Sequence, residues 1–208
     1  MNTFPSIDSE RRSLRQTMRR RRRSLTPRQQ KAAALRLKKS VGHQLWFRRA
    51  QHIALYLPND GEIDPRPLIE LCWKLGKQVY LPVLHPIRHN RLWFVPYSPT
   101  TKMVKNRFGI EEPGLQGVPR RPAWALDLVM LPLVAFDPQG NRMGMGGGFY
   151  DRTFSYKHTE KGIHGAKLIG LAHECQRVEA LPVQPWDVPL FGIVTDNAQY
   201  LQAAGFNC

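Results

Sequence analysis

Cysteine is scarce in this chain. Cys72, Cys175 and Cys208 stand far apart in 208 residues, and no CxxC pair occurs. That excludes a disulfide framework and leaves no zinc-ligand spacing, so a reducing compartment, the cytoplasm, is expected. Long apolar runs are missing as well. The longest, Leu126 to Phe136, contains Asp127 and Pro132 and is too short to cross a membrane, so no membrane association is expected. The Arg-rich start is followed by no apolar segment of the kind a secretory signal carries, although a mitochondrial targeting segment has a similar basic, acid-poor composition. There is no GxxxxGK[ST] phosphate loop and no Ser-His-Asp or Cys-His nucleophile signature.

Acidic residues are scarce in one place only. Residues 1–50 hold fifteen basic and two acidic side chains, whereas residues 51–208 hold sixteen and fourteen, so nearly all of the formal charge of +15 sits on the N-terminal part. The body need not bind a polyanion. Hydrophobic residues make up 42% and aromatics 10%, enough to close a core, which excludes a disordered, collagenous or coiled-coil chain. One α/β domain over 1–208 is expected, with 1–50 as its basic helical part. The run Arg19–Arg23 keeps a basic nucleic-acid-binding protein open as an alternative, but no recognised DNA- or RNA-binding motif accompanies it.

Hydrophobic spacing predicts a helix from Ser9 to Leu25, with Ser9 as N-cap, Leu14, Met18 and Leu25 on one stripe and Arg11, Arg15, Arg19 and Arg22 on another. Thr26-Pro27 starts a second helix whose apolar stripe is Ala34, Leu37, Val41 and Leu45. Strands are expected at 52–57, 78–84, 92–97, 126–136, 167–172 and 191–195, a turn at Asn59-Asp60-Gly61, a helix at 65–75, and loops over 99–125. Strands alternating with helices, several of them apolar throughout, predict a mostly parallel sheet covered on both faces.

The densest chemistry lies at Phe136–Arg152, FDPQGNRMGMGGGFYDR. Four glycines in five positions follow the strongest strand and precede a helix opening near Phe149. Backbone N–H groups of such a loop can crowd an anion, and a helix N-terminus adds a favourable dipole. Arg142 suits phosphate oxygens, and Asp151 supplies an oxygen for a phosphate-bound Mg²⁺. The competing reading is a tight turn with a solvated carboxylate. Asp137 is expected to cap its Asp-Pro-Gln-Gly turn, and Phe108 to be a core residue, with stacking on a ligand ring as its alternative.

The segment RMGMGGGFYDR, preceded by LPLVAFDPQGN, resembles the hallmark of the 5-formyltetrahydrofolate cyclo-ligase (5,10-methenyltetrahydrofolate synthetase) family, FD-x-x-G-x-R-L-G-x-G-x-G-Y-Y-D. Three further elements resemble that family in its order: Arg11-Arg12-Ser13-Leu14-Arg15 its K-x-x-L-R, Leu57 to Asp64 its first-strand loop with an embedded Glu, and Leu181 to Leu190 its acidic C-terminal segment. The resemblance implies a three-layer α/β sandwich that closes 5-formyltetrahydrofolate to 5,10-methenyltetrahydrofolate, using ATP and Mg²⁺ and releasing ADP and phosphate. A binder of folate or nucleotide without turnover is the other alternative.

Carried over by position, the resemblance makes Arg142 catalytic. It assigns ATP to Arg11, Arg15, Arg142, Met143, Gly144, Met145, Gly146, Gly147, Gly148, Phe149 and Tyr150. Folate falls to Leu57, Glu62, Met145 and Phe149, and the metal to Asp151 and Asp187. The implied partners are the two substrates, with no specific nucleic acid and a monomeric chain. Three departures stand out: Arg11 replaces the motif's lysine, Phe149 its first tyrosine and so takes a packing role only, and Gly147 stands where some relatives have lysine.

Overall fold

The computed structural model describes residues 7–115, 117–159 and 165–202; Cys208 lies outside them. In chain order the helices are α1 (Ile7–Arg23), α2 (Pro27–Gly42), α3 (Leu45–Arg49), α4 (Arg66–Lys74), α5 (Phe149–Thr153) and α6 (Tyr156–Thr159). The strands are β1 (His52–Ala54), β2 (Gln78–Leu84), β3 (Leu92–Pro96), β4 (Met103–Lys105), β5 (Glu111–Pro113), β6 (Leu128–Pro132), β7 (Ala135–Phe136), β8 (Arg142–Met143), β9 (Lys167–Ala172), β10 (Gly192–Thr195) and β11 (Gln199–Leu201).

Seven strands form the main sheet in the order β11-β10-β9-β6-β1-β2-β3. The five in the middle are parallel, and an antiparallel strand closes each edge. Side-chain alternation sorts β6 between two cores. Leu128 and Met130 join Leu37, Val41, Phe47 and Leu68 from α2, α3 and α4 on one face. Val129 and Leu131 join Phe136, Phe154 and Leu190 on the other. This is the expected mostly parallel sheet covered on both faces. Among the described residues no helix is long and apolar enough to cross a membrane.

Local chemistry explains where the elements begin and end. Thr26 caps α2 through a capping box: its Oγ1 accepts from the Gln29 N–H at 3.3 Å, and Gln29 Oε1 accepts from the Thr26 N–H at 2.8 Å. Leu45 does not continue the α2 stripe. That helix stops at Gly42, and Leu45 opens α3 at 67% exposure, where Phe47 is the buried anchor. α1 starts at Ile7, so Ser9 is inside it and not its cap, and Leu25 lies beyond its end. Met18 and Leu14 do dock, on Val134, Ala135 and Met143.

The strongest expected strand, 126–136, is two strands. β6 ends at Pro132, and β7 turns away to pair with β8. The carbonyls that would continue the ladder are taken by side chains: Leu133 accepts from Arg22 Nη1 (3.2 Å) and Gln176 Nε2 (2.8 Å), and Val134 from Gln176 (3.0 Å). The strand expected at 52–57 is shorter: β1 ends at Ala54, with one further bond from the Leu55 N–H to the Tyr80 carbonyl at 3.0 Å. Within 99–125, expected as loops, β4 and β5 pair and a 3₁₀ turn forms at Ala123–Ala125. β11 is an edge strand too short to stand out in sequence.

β1 lies between β2 and β6, so the chain departs from it in both directions along the sheet. In open α/β sheets ligands bind outside the carboxyl ends of strands at such a switch point.

Gly170, inside β9, is where this packing leaves no room for a side chain. A Cβ there would stand 2.7 Å from Leu133, 3.0 Å from Leu190 and 3.1 Å from Ile193, all buried. Gly170→Val is therefore expected to destabilise the fold by overpacking, by roughly 1–3 kcal/mol, as read by urea denaturation. An unchanged midpoint would contradict the packing described.

Candidate active site

The carboxyl ends of β1, β2 and β6 open into a cleft of about 1230 Å³. Tyr56, Leu57 and Glu62 line it after β1, Leu81 and Leu84 at β2, and Leu131 to Leu133 at β6. The glycine loop, α5, the arginines of α1 and the segment around Asp187 close the other sides. Of the expected site residues only Met143 does not line the cleft. It is 1% exposed, packs with Met18 and Leu181, and contributes its carbonyl to the Val134 N–H (2.7 Å). The resemblance assigns Met143, within the RMGMGGGFYDR motif, to ATP; the pairing of β7 with β8 turns its side chain into the core instead.

That short pairing delivers Arg142. The Asp137–Gly140 turn between β7 and β8 is held by the buried Asp137 carboxylate, which accepts from the Asn141 N–H (3.0 Å), Asn141 Nδ2 (2.9 Å) and the Leu181 N–H (3.0 Å). Asp137 is thus a turn cap, as expected. Arg142, 7% exposed, donates from Nη2 to Asp151 Oδ1 at 2.7 Å. The same oxygen accepts from the Val188 N–H at 3.1 Å, which brings the Asp187 segment beside α5.

A second cation–carboxylate pair stands next to the first. Arg11 Nη1 lies 3.3 Å from Asp187 Oδ2 and donates to the Pro182 carbonyl, while Asp187 Oδ2 also accepts from the Gln184 N–H at 3.0 Å. Arg15 donates from Nε to the Gly144 carbonyl at 2.9 Å and passes beside Gly146, whose φ of +97° favours glycine. Burial, then the Arg11 charge, lower the Arg15 pKa from its ordinary value. Arg11 and Arg15 thus reach across 129 or more positions to the glycine loop and the Asp187 segment.

α5 opens at Phe149 as expected, but it is only five residues long, so little helix dipole faces the loop. What cations the loop has are arginines: Arg152 Nη1 donates to the Gly147 carbonyl at 2.6 Å. A Cβ at Gly147 would meet the Phe149 ring at 2.7 Å, so glycine there lets that ring fold over the loop. Phe149 in turn meets Phe108 edge-on at 6.1 Å. Phe108 is 55% exposed at the cleft wall and is not the core residue expected of it.

Glu62 sits under different electrostatics. Burial raises its carboxyl to about 7, against the lowering pull of Arg22 and the Asn59 N–H. Arg22 Nη2 is 3.8 Å from its Oε1, and the Asn59 N–H donates to its Oε2 at 3.1 Å. Burial and then the Glu62 charge push the Tyr150 phenol upward too. Two residues before Glu62, Asp60 gathers Arg19 (2.7 Å), Arg22 (2.8 Å) and Arg23. Burial alone would raise the Asp60 carboxyl, but hydrogen bonds from these three arginines bring it to about 2. Asp60 was expected only as part of the Asn59-Asp60-Gly61 turn, and Arg19–Arg23 only as a basic run; three of those five arginines, all but Arg20 and Arg21, are tied to Asp60. In sequence Asp60 stands beside Glu62 and Asp64 and 37 or more positions from the arginines that hold it, so no local signal pointed to the contact.

Residues 7–196 of the chain match the 5-formyltetrahydrofolate cyclo-ligase family. The chain belongs to that family. It is 45% identical to the 5-formyltetrahydrofolate cyclo-ligase of Escherichia coli over 181 residues, 86% of this chain and 97% of that one. It is also 45% identical to the Haemophilus influenzae enzyme of the same name over 185 residues, 89% and 97% of the two chains. The solved structure of Aquifex aeolicus 5,10-methenyltetrahydrofolate synthetase superposes with a TM-score of 0.78 at 27% identity, covering 95% of each chain. This member of the cyclo-ligase family thus carries the α/β fold that its sequence resemblance implied, built on a mostly parallel seven-stranded sheet.

Ionising Glu62 costs the folded protein more than the unfolded one. The stability it contributes is complete below its unfolded pKa of 4.5 and is lost as pH rises through about 7. Glu62→Gln removes that loss. The Tm of the variant relative to wild type is expected to climb between about pH 5 and about pH 8, by the equivalent of roughly 3 kcal/mol. A Tm difference that stays flat across that range would contradict the buried carboxylate.

Proposed function

We propose that this chain is an ATP-dependent 5-formyltetrahydrofolate cyclo-ligase, forming 5,10-methenyltetrahydrofolate, ADP and phosphate. The observation that carries the reading is that one cleft is lined both by the Arg142–Asp151 and Arg11–Asp187 pairs and by the Glu62 carboxyl, whose pKa burial raises. One end suits phosphates and the other a heterocycle with adjacent donors.

At the phosphate end, Arg142 spends one N–H on Asp151 and keeps others for phosphate oxygens. Arg11, Arg15 and the N–H groups of Gly144–Tyr150 add positive potential. The carboxylates also suit a metal. Asp151 receives its bonds on Oδ1 and Asp187 on Oδ2, so one oxygen of each takes no bond among the described residues. Mg²⁺ carried by ATP typically takes one or two carboxylates beside phosphates and water. When bound there, it supplies charge neutralisation on the transferring phosphoryl. At the other end, ionised Glu62 accepts from the ring N–H and amino group of the pterin, with Leu57, Met145 and Phe149 as apolar walls. Burial of a pterin over Glu62 favours its charged form, because the donors arrive with the ligand.

ATP is needed because the formyl group is an amide whose oxygen leaves poorly. Transfer of the γ-phosphoryl to that oxygen converts it into phosphate, a better leaving group. Arg142 and the loop N–H groups stabilise the charge that develops during transfer. N10 then closes on the activated carbon, an intramolecular step of large effective molarity, and phosphate departs. No protein nucleophile is required. All the residues involved belong to one cleft of one chain, so a monomer and a single domain suffice, and no nucleic acid takes part.

The direct test is ultraviolet absorbance, since the methenyl product absorbs at longer wavelength than the formyl substrate. The band is expected to appear only with ATP. Arg142→Ala and Asp151→Asn are expected to cut kcat/KM for MgATP about ten- to a hundredfold, the worth of one charge-assisted contact, while folate binding to the resting protein changes little. Near-normal kinetics in both variants would remove the glycine loop from the site.

A further inference from the structure

Arg22 is the one member of the arginine run with no exposed surface. Its Nε donates to the Asp60 carbonyl at 2.8 Å, its Nη2 to Asp60 Oδ2 at 2.8 Å, and its Nη1 to the Leu133 carbonyl at 3.2 Å. One guanidinium thus ties the segment after β1 to the segment after β6, the two walls of the cleft. Arg19 and Arg23 hold the same Asp60 carboxylate from either side. Gln30 Nε2 of α2 adds a bond to the Gly61 carbonyl at 3.2 Å.

The turn held in this way is an uncommon one. Asp60 and Gly61 both have positive φ, +53° and +76°. A Cβ on Gly61 would stand 3.2 Å from the Arg22 carbonyl, so turn and helix end touch along the backbone. Left-handed backbone at a non-glycine residue persists where surrounding contacts over-determine it. Here they do so immediately before Glu62, whose two oxygens face Arg22 and the Asn59 N–H separately.

We infer that Arg22 is a positioning residue for folate recognition: it locks the 59–62 turn and thereby aims the Glu62 carboxylate into the cleft. The inference rests on the reading of Glu62 as the pterin acceptor, and adds to it a residue that touches neither substrate. It also gives the arginine run a purpose other than nucleic-acid binding, because three of its five members close on one carboxylate.

A merely structural Arg22 and a positioning Arg22 differ in what they change. The charged or titratable groups facing Glu62 are Arg22 from α1, Asp60 from its own turn, Tyr56 after β1 and Tyr150 from α5. Arg22 lowers the Glu62 pKa and Asp60 raises it. Loss of Arg22 therefore delays ionisation of the acceptor to higher pH, and loss of the Asp60 charge advances it to lower pH.

The experiment compares wild type with Arg22→Gln, Arg22→Lys, Asp60→Asn and Arg20→Gln, full length, in turnover and in calorimetric binding of 5-formyltetrahydrofolate across pH. Arg22→Gln is expected to raise KM and Kd for the folate about tenfold or more, to leave KM for MgATP within about twofold, and to move the acidic limb of kcat/KM upward in pH. Arg22→Lys keeps the limb near its wild-type position. Asp60→Asn raises the folate KM but moves the limb downward, and decides the matter should Arg22→Gln not fold. Arg20→Gln behaves as wild type. A limb that stays put in both Arg22→Gln and Asp60→Asn, or equal losses for folate and MgATP, would overturn the inference. Wild type that shows no turnover would instead retire the cyclo-ligase reading.

Discussion

The Leu133 carbonyl belongs to no sheet ladder; it accepts from the buried Arg22 and from Gln176. Much else depends on that exchange of partners. Because side chains satisfy it, β6 can stop at Pro132 without leaving an unpaired buried carbonyl, a lapse that typically costs 1–3 kcal/mol. Because β6 stops there, the chain is free to form the β7–β8 pair, which carries Arg142 to the cleft and throws the glycine loop across its mouth. And because Arg22 is the donor, α1 is fixed along the same cleft, with Arg11 and Arg15 at its far end.

The site that results is built from paired charges. Arg142 with Asp151 and Arg11 with Asp187 are each a partly buried cation beside a carboxylate. Removing one partner of such a pair costs more than the pair contributes, because it leaves an uncompensated charge. The pairs therefore keep four charged groups in place, and each carboxylate retains one oxygen free of bonds among the described residues. The Glu62 end works the other way. Glu62 has one cation nearby at 3.8 Å, too far for a close pair, and its raised pKa records that burial outweighs attraction.

Much of this was legible in the sequence. Apolar strands alternating with amphipathic helices gave a mostly parallel, two-faced sheet, and the glycine segment marked the cleft. What escaped shares a physical cause. The end of β6, the inward turn of Met143, the exposure of Phe108 and the grip of Arg19, Arg22 and Arg23 on Asp60 are all decided by partners far away in sequence. Leu126–Phe136 reads as one strand because it is apolar except at Asp127 and Pro132; past Pro132, Arg22 and Gln176, 111 and 43 positions from Leu133, take the carbonyls that would have continued the ladder. α1 reads as a solvated basic helix because Asp60 is a single residue in a turn. Tertiary contact overrides local pattern at these positions, which are also the ones that shape the cleft.

The central claim is that the cleft presents the formyl oxygen of the folate to the γ-phosphoryl of ATP. Substrate carrying ¹⁸O in the formyl group tests it most directly, by mass analysis of the phosphate released in one turnover. The account predicts the label in phosphate, since the oxygen leaves attached to phosphorus. Unlabelled phosphate, with the label recovered in water, would contradict it.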